Sequence, residues 1–454
     1  MKNLSQIIPI TCLGLCLSLL GGCGGGGGGS VATTPTTPTT PTTPTGVCSV
    51  AAENETLLTY LQDEYYWYKD IPSGLVSGNY TSPQALLDAA RSPQDRFSFI
   101  ITVDEYNAIF TSATLVGLGL SFQIASNNQN LEVRYVYDNG AAFDAGMTRG
   151  DKITAVDGVA VADLVSQVNA GSNTWPDIFG DSVIGDSVAM SFTKPSGEAF
   201  TNDFIKENID TNTVLASQVI PTLSKQVGYM VFNQFIVRAA EDLNASFNQF
   251  ASANVEELVL DLRYNGGGFI SIANQLSTQI GGTHVDNQIF SSLVFNDKHT
   301  DRNSSTLFSL GAGIEELSLD RVIVLTSPRT CSASEMVINA LSPFIEVVTI
   351  GDTTCGKPVG MSPREICDDM VFAINFETVN GIGQGGYFNG ITTQCFAQDN
   401  IVADWGSIED PLLREGLFYI DNNQCFTGNR APLKAISALP TNPVDASREA
   451  NNIY

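Results

Sequence analysis

Hydrophobic positions along this chain change their period twice. Leu57, Leu61, Tyr65 and Tyr68 recur at the three- to four-residue spacing of one helix face, and Pro72-Ser73-Gly74 predicts where that helix stops. A second amphipathic stretch covers residues 82–91. The run Asp95-Arg96-Phe97-Ser98-Phe99 that follows reads as core packing, with no chemistry of its own. Residues 49–111 are therefore expected to form a helical cap. Between 112 and 206 the pattern becomes one of short strands. Runs at 121–124, 131–137, 153–156 and 188–193, with a helical turn at 141–146, predict a small, partly open β-barrel. Between 207 and 420, apolar runs at 227–232, 258–262, 322–326 and 347–350 alternate with helical stretches such as 239–250 and 270–280. That alternation marks an α/β domain with a largely parallel sheet. The tail, 421–454, carries little pattern.

The ends of the chain change this picture. Lys2 and the apolar run 7–20 have the order of an export signal over residues 1–22, and the run is shorter than the ~20 residues that span a bilayer. Leu20-Gly21-Gly22-Cys23 resembles a bacterial lipobox, which implies lipidation of Cys23 and attachment to a bacterial membrane, facing the periplasm or the cell surface. An ordinary signal peptide cut near Cys23 is the alternative. Residues 23–48, glycine-rich and then Thr/Pro-rich, form a tether with nothing to bury.

Composition narrows the chemistry. With 43% hydrophobic residues the 454-residue chain can bury a sizeable core. Its net charge of −26 opposes nucleic-acid binding. Two histidines, His284 and His299, make a His-rich metal site implausible and leave few candidates for a Ser-His-Asp triad. No metal or other cofactor is expected. Past Cys23, six cysteines remain: Cys48, Cys331, Cys355, Cys367, Cys395 and Cys425. In an exported protein they predict up to three disulfides of open connectivity, and five of the six lie beyond residue 330, where the chemistry gathers.

That chemistry centres on Thr330-Cys331-Ser332-Ala333-Ser334-Glu335, between a strand and a helix. Ser332 and Glu335 have the spacing of a capping box, which is sufficient reason for both. Cys331 as a thiol nucleophile is another reading, though no histidine stands in its motif. Upstream, Asp261-Leu262-Arg263-Tyr264-Asn265-Gly266-Gly267-Gly268 ends a strand in three glycines, where backbone N–H groups can meet an anionic oxygen. A phosphate loop competes for this stretch, but no Gly-Lys-Ser/Thr follows. Gly356-Lys357-Pro358 places a lysine 25 residues after Ser332, where a strand–helix–strand path returns it to the same sheet edge.

Two resemblances join these pieces. Gly117-Leu118-Gly119-Leu120, with Gly150-Asp151-Lys152-Ile153 and Val156-Asp157-Gly158, resembles a PDZ domain over 112–206. The likeness implies capture of a peptide C-terminus near Leu118, Gly119 and Leu120. The three core motifs resemble the carboxyl-terminal processing, or tail-specific, serine proteases, which implies a crotonase-type (ClpP/crotonase-like) α/β core over 207–420. By that resemblance Ser332 is the nucleophile, Lys357 the general base, Glu335 the acidic neighbour, and Gly267 and Ala333 supply the oxyanion hole. A neutral lysine base requires a pKa about three units below ~10.4, which burial can produce. The chain departs from the family at Met361, where many relatives have glutamine, at Pro358 in place of glycine, and at Pro343 in place of an aspartate found in some members. Asn389-Gly390-Ile391 resembles a later family turn without its usual Pro-Asp. The implied protein is a lipid-anchored envelope endopeptidase acting on protein or peptide substrates. A non-catalytic peptide-binding scaffold and a binder of small apolar ligands are its alternatives.

Overall fold

The computed structural model describes residues 48–222 and 224–426. The expected signal segment, Cys23, nearly all of the tether and the end of the tail lie outside the described residues.

The first helix, Val50–Glu64, starts on Ser49, whose hydroxyl accepts the Ala52 N–H. It stops well before Pro72, contrary to the periodicity. Tyr65 turns extended (φ −64°, ψ 133°), and Tyr68 falls in a separate short turn, Tyr68–Asp70. Tertiary bonds override the helical pattern here: the Tyr65 hydroxyl donates to Asp95 at 2.7 Å, and the Tyr66 N–H donates to the Ile374 carbonyl at 2.8 Å. The expected second helix is present as Pro83–Ala90 and is capped by Ser82, whose hydroxyl accepts the Ala85 N–H. Strand Phe99–Thr102 pairs antiparallel with Asp369–Phe372, so the cap shares its apolar core with residues far along the chain, among them Val359, Val371 and Ile374.

The strands expected between 112 and 206 are present as Leu120–Ile124, Leu131–Val136, Lys152–Val156 and Ser187–Thr193. A further strand, Ala199–Ile205, and the helix Val161–Asn169 were not predicted. The sheet runs antiparallel in the order just given, with Leu120–Ile124 at one edge and Ala199–Ile205 at the other. Strands Thr114–Gly117 and Glu207–Asp210 pair at the neck, so the chain leaves and returns through one ladder.

In the core, the four predicted strands appear as Gln226–Phe232, Glu257–Asp261, Arg321–Thr326 and Glu346–Gly351, all parallel in that order. Val214–Pro221 adds an antiparallel edge and Cys395–Phe396 a short parallel one. Strand alternation divides the apolar residues between two layers. Leu258, Leu260, Val322 and Val324 pack with the helices Ala239–Ser252, Ile270–Gly281 and Ala333–Leu341. Val259, Ile323 and Leu325 pack with Leu412, Leu413 and Tyr419 of the helix Pro411–Asn422. This last helix was not predicted and crosses the boundary expected at 420. Asp410 starts it by accepting the Leu412 and Leu413 N–H groups.

A buried ionic network joins the antiparallel module to this sheet. Arg263, wholly buried, donates to Asp261, Asp399 and Asp410 at 2.7–3.0 Å. Arg149 enters from the antiparallel module, its guanidinium 3.7 Å from the centre of the Trp405 ring and bonded to the carbonyls of Arg134 and Ala403. Removing one member would strand a buried charge, so the network fixes the Arg263 backbone just before the glycine run.

Candidate active site

Loops at the carboxyl ends of parallel strands are where open α/β sheets present functional groups. Three such loops meet here, following Asp261, Thr326 and Gly351. The segment after Thr326 is bolted to the one after Asp261. The Thr330 hydroxyl donates to the Leu262 carbonyl at 2.8 Å, while the Cys331 N–H and the Ser334 hydroxyl both donate to the Asn265 carbonyl, at 3.1 and 3.0 Å. Ser332 then enters its helix with φ 56° and ψ −114°, a backbone state costly for a residue with a side chain. It is the kind of strained strand-to-helix turn that exposes a serine hydroxyl at the top of an α/β sheet. Ala333, first in the helix, has an N–H with no carbonyl one turn back.

Gly267 packs directly against this turn. At φ +105°, a Cβ on it would lie 2.7 Å from the Ser332 Cβ and 3.0 Å from the Ala333 nitrogen, so only glycine allows the approach. Its N–H donates to the Asn265 side-chain oxygen at 2.9 Å.

Glu335 lies one turn into the helix and is wholly buried. Its Oε2 accepts the backbone N–H groups of Ser332 (3.0 Å) and Lys357 (2.8 Å); its Oε1 accepts the Gly356 N–H (2.8 Å) and the Thr354 hydroxyl (2.5 Å). The glutamate half of the expected capping box is therefore formed, but the same carboxylate also fixes the lysine loop. Burial raises its pKa, and the four donors oppose that rise. The Asn389-Gly390-Ile391 turn backs the arrangement, since the Ile391 N–H donates to the Thr354 hydroxyl oxygen at 2.7 Å.

A covalent link reinforces it. Cys331 and Cys355 form a disulfide, tying the residue before Ser332 to the residue two before Lys357, and the Cys355 N–H donates to the Thr330 carbonyl at 3.0 Å. The thiol-nucleophile reading of Cys331 is thereby overturned, because a bonded sulfur carries no thiolate. A second disulfide, Cys395–Cys425, lies on the far layer, and Cys48 and Cys367 interact with each other as thiols, so two of the three expected bridges are formed. Cys331, Glu335 and Cys355 bring their sulfur and oxygen atoms within 4.8 Å, a metal-like spacing, but the disulfide occupies both sulfurs.

The Lys357 amine sits among apolar groups. Its Nζ lies 3.8 Å from the Met361 sulfur and 5.3 Å from the centre of the Phe97 ring. Burial pulls its pKa down to about 8, although the carboxylates of Asp95 and Glu335 pull the other way. Such an amine is neutral often enough near neutrality to accept a proton from a hydroxyl. Phe97 belongs to the run read as simple packing. Its role escaped the sequence because it depends on a contact spanning some 260 residues, with no local motif to announce it.

The remaining candidates are placed elsewhere. Leu118 and Leu120 turn their side chains into the apolar core of the antiparallel module, so this loop has only backbone to offer a peptide, beside the edge strand Leu120–Ile124. His284 lies 3.3 Å from Asp320 and His299 lies 3.3 Å from Asp63. No helix among the described residues is long and apolar enough to cross a membrane.

A parallel-sheet core with a strained serine at a helix entrance, a glycine run against it and a half-buried lysine of depressed pKa defines a class, an α/β protein built as serine hydrolases are. Family models narrow this. Residues 226–392 match "Peptidase family S41" and residues 52–99 match "Peptidase S41 N-terminal domain". The chain belongs to this family, that of the C-terminal processing serine proteases. It is 25% identical over 296 residues to the carboxyl-terminal-processing protease of Picosynechococcus sp., and 24% identical over 298 residues to that of Synechocystis sp.. These matches cover 64% and 65% of this chain and 65% of each relative, just under two thirds of their length. The fold is similar to that of a putative S41 protease from Bacteroides fragilis, with TM-score 0.65 and 23% identity over 81% of this chain and 97% of that one.

Proposed function

We propose that this chain is an exported, lipid-anchored serine endopeptidase that binds the C-termini of protein substrates on its barrel module, a PDZ-type domain, and cleaves them with a Ser332/Lys357 dyad. Lys357, neutral in its apolar pocket, takes the Ser332 proton as the hydroxyl attacks the peptide carbonyl. The protonated amine then returns a proton to the leaving nitrogen. The Ala333 N–H stabilises the oxyanion, and Gly267 supplies a second donor once the Asn265 amide yields its N–H. Each such donor contributes ~3 kcal/mol to the transition state. The observation that carries the reading is the single Glu335 carboxylate that holds the backbones of both dyad residues. Two disulfides support the exported compartment, and anchoring through Cys23 rests on the sequence of residues 20–23.

The test is incubation of wild type, Ser332→Ala and Lys357→Ala with a disordered protein, with products read by mass spectrometry. Cleavage by wild type alone supports the dyad; equal cleavage by either variant sinks it. A second reading, a peptide-binding scaffold without catalysis, draws on Met361, Pro358 and the closed Asn265–Gly267 hydrogen bond. Labelling of Ser332 by a fluorophosphonate would exclude it.

A further inference from the structure

The amine of Lys357 is enclosed from one side by residues of the N-terminal cap, and the way they are held goes beyond packing. Asp95 is buried and anchors a tight turn. One of its oxygens accepts the Phe97 and Ser98 N–H groups, both at 2.9 Å; the other accepts the Tyr65 hydroxyl at 2.7 Å and the Ser98 hydroxyl at 2.5 Å. The turn is then fastened to the lysine loop itself. Arg96 donates to the Cys355 carbonyl at 2.6 Å and to the Phe388 carbonyl at 3.2 Å, and its guanidinium carbon lies 5.0 Å from the Phe97 ring centre. The Phe97 ring is left facing the Lys357 Nζ.

We propose that Phe97, presented by the Asp95 turn and clamped by Arg96, is a positioning residue of the hydrolytic site: it excludes water from the Lys357 amine and so maintains the neutral base. This inference rests on the dyad reading above.

Two effects of the ring compete. Its π face attracts an ammonium, by roughly 0.5–2 kcal/mol, and so favours the charged form. Its bulk removes water, which disfavours the charged form by up to three to five pKa units in a fully buried site. The charged groups around the amine, Asp95 and Glu335, both favour protonation, yet the pKa is depressed to about 8 with burial as the leading cause. Burial thus outweighs both carboxylates, and the Phe97 ring, 5.3 Å from the Nζ, is part of that burial. Asp95 also holds the turn that presents the ring, its two oxygens engaged by four donors.

The experiment is the pH profile of kcat/KM for full-length wild type, Phe97→Ala and Phe97→Leu on a peptide substrate, with thermal unfolding as a check on folding. Wild type should show a rising limb with its midpoint near 8. In Phe97→Ala the midpoint should move up by one unit or more, lowering activity at pH 7 about tenfold per unit while activity at pH 10 stays within about threefold of wild type. Phe97→Leu, which keeps the bulk and loses the π face, should bring the midpoint back to within about half a unit of wild type. An unshifted midpoint in Phe97→Ala, or an equal loss at every pH, overturns the proposal. Should Phe97→Ala not fold, Phe97→Val must show an intermediate midpoint, and an unshifted one there overturns it too. Ser332→Ala, run in parallel, separates the two readings: if it is as active as wild type the dyad fails, whereas if it is inactive and Phe97→Ala keeps the wild-type midpoint only this inference fails.

Discussion

The backbone N–H groups of Ser332 and Lys357 meet at one atom, the Oε2 of Glu335, at 3.0 and 2.8 Å. A buried carboxylate is expensive unless its lone pairs are filled, and here four donors fill them. Glu335 touches no reacting atom in the proposed mechanism; it fixes the spacing of the two residues that do. Glu335→Gln keeps the shape but turns an NH₂ group toward N–H donors, leaving buried groups unpaired at about 1–3 kcal/mol each. The expected outcome is a loss of roughly 2–3 kcal/mol in chemical unfolding and a fall of about tenfold to a hundredfold in kcat, with KM little changed. Full activity in this variant would mean that the Cys331–Cys355 bridge alone sets the spacing.

Much of this site was legible in the sequence because it lies on loops next to strands with strong patterns. The parallel strands declared themselves as apolar runs, and Ser332, Gly267 and Lys357 each follow one. What stayed hidden depends on partners far apart in the chain. The first helix ends at Glu64 because Tyr65 is claimed by Asp95, and the helical spacing of Tyr65 and Tyr68 gave no warning of it. The short amphipathic helix Pro411–Asn422 was missed although Asp410-Pro411 is a recognisable start, a capping residue followed by proline at the first helical position. The neighbours of the Lys357 amine are of this kind too: Met361, where the chain departs from the family pattern, and Phe97 from the cap.

The lysine also makes stability depend on pH. Its folded pKa, about 8, lies below the ordinary 10.5, so the folded chain releases this proton more readily than the unfolded one. The unfolded state binds more protons between those values, and stability therefore rises with pH across that window. Below pH 8 the full penalty of burying the ammonium is present, about 3 kcal/mol at 1.36 kcal/mol per unit; above 10.5 it is gone. Lys357→Met should be more stable than wild type at pH 7 by up to about that amount, with the difference shrinking toward pH 10.5 in urea titrations. A constant difference would show that the lysine is hydrated.

The two disulfides should separate activity from stability. Cys331–Cys355 and Cys395–Cys425 close loops of similar length, with sequence separations of 24 and 30, so each is expected to contribute about 3 kcal/mol through the unfolded chain. Only the first spans the site. Its Cys355 sulfur lies 3.4 Å from the Glu335 Oε2, and once reduced it becomes a thiol competing for the oxygen that holds Ser332 and Lys357. The double change Cys331→Ser and Cys355→Ser should cut kcat/KM by tenfold or more at a temperature where the protein remains folded. Cys395→Ser with Cys425→Ser should lower the melting temperature comparably and leave kcat/KM within about twofold. Equal effects on activity would remove any special role for the first bridge.

Met361 supplies the last handle on the proposed base. Its thioether is a weak acceptor 3.8 Å from the Lys357 Nζ, so it orients the amine without much favouring the charged form. Glutamine, common at this place in related proteases, offers a carbonyl oxygen that bonds an ammonium more strongly than it does a neutral amine. Met361→Gln should therefore aim the lysine at least as well while raising its pKa. The expected result is a higher midpoint in the pH profile, by about half a unit to one unit, with kcat at high pH equal to or above that of wild type. Met361→Ala removes the contact altogether and should lower kcat severalfold across the whole pH range, because a loosely held amine spends less time in line with Ser332. If neither variant alters kcat or the midpoint, the sulfur has no part in holding Lys357, and the Phe97 ring with the Glu335-bound backbone is sufficient.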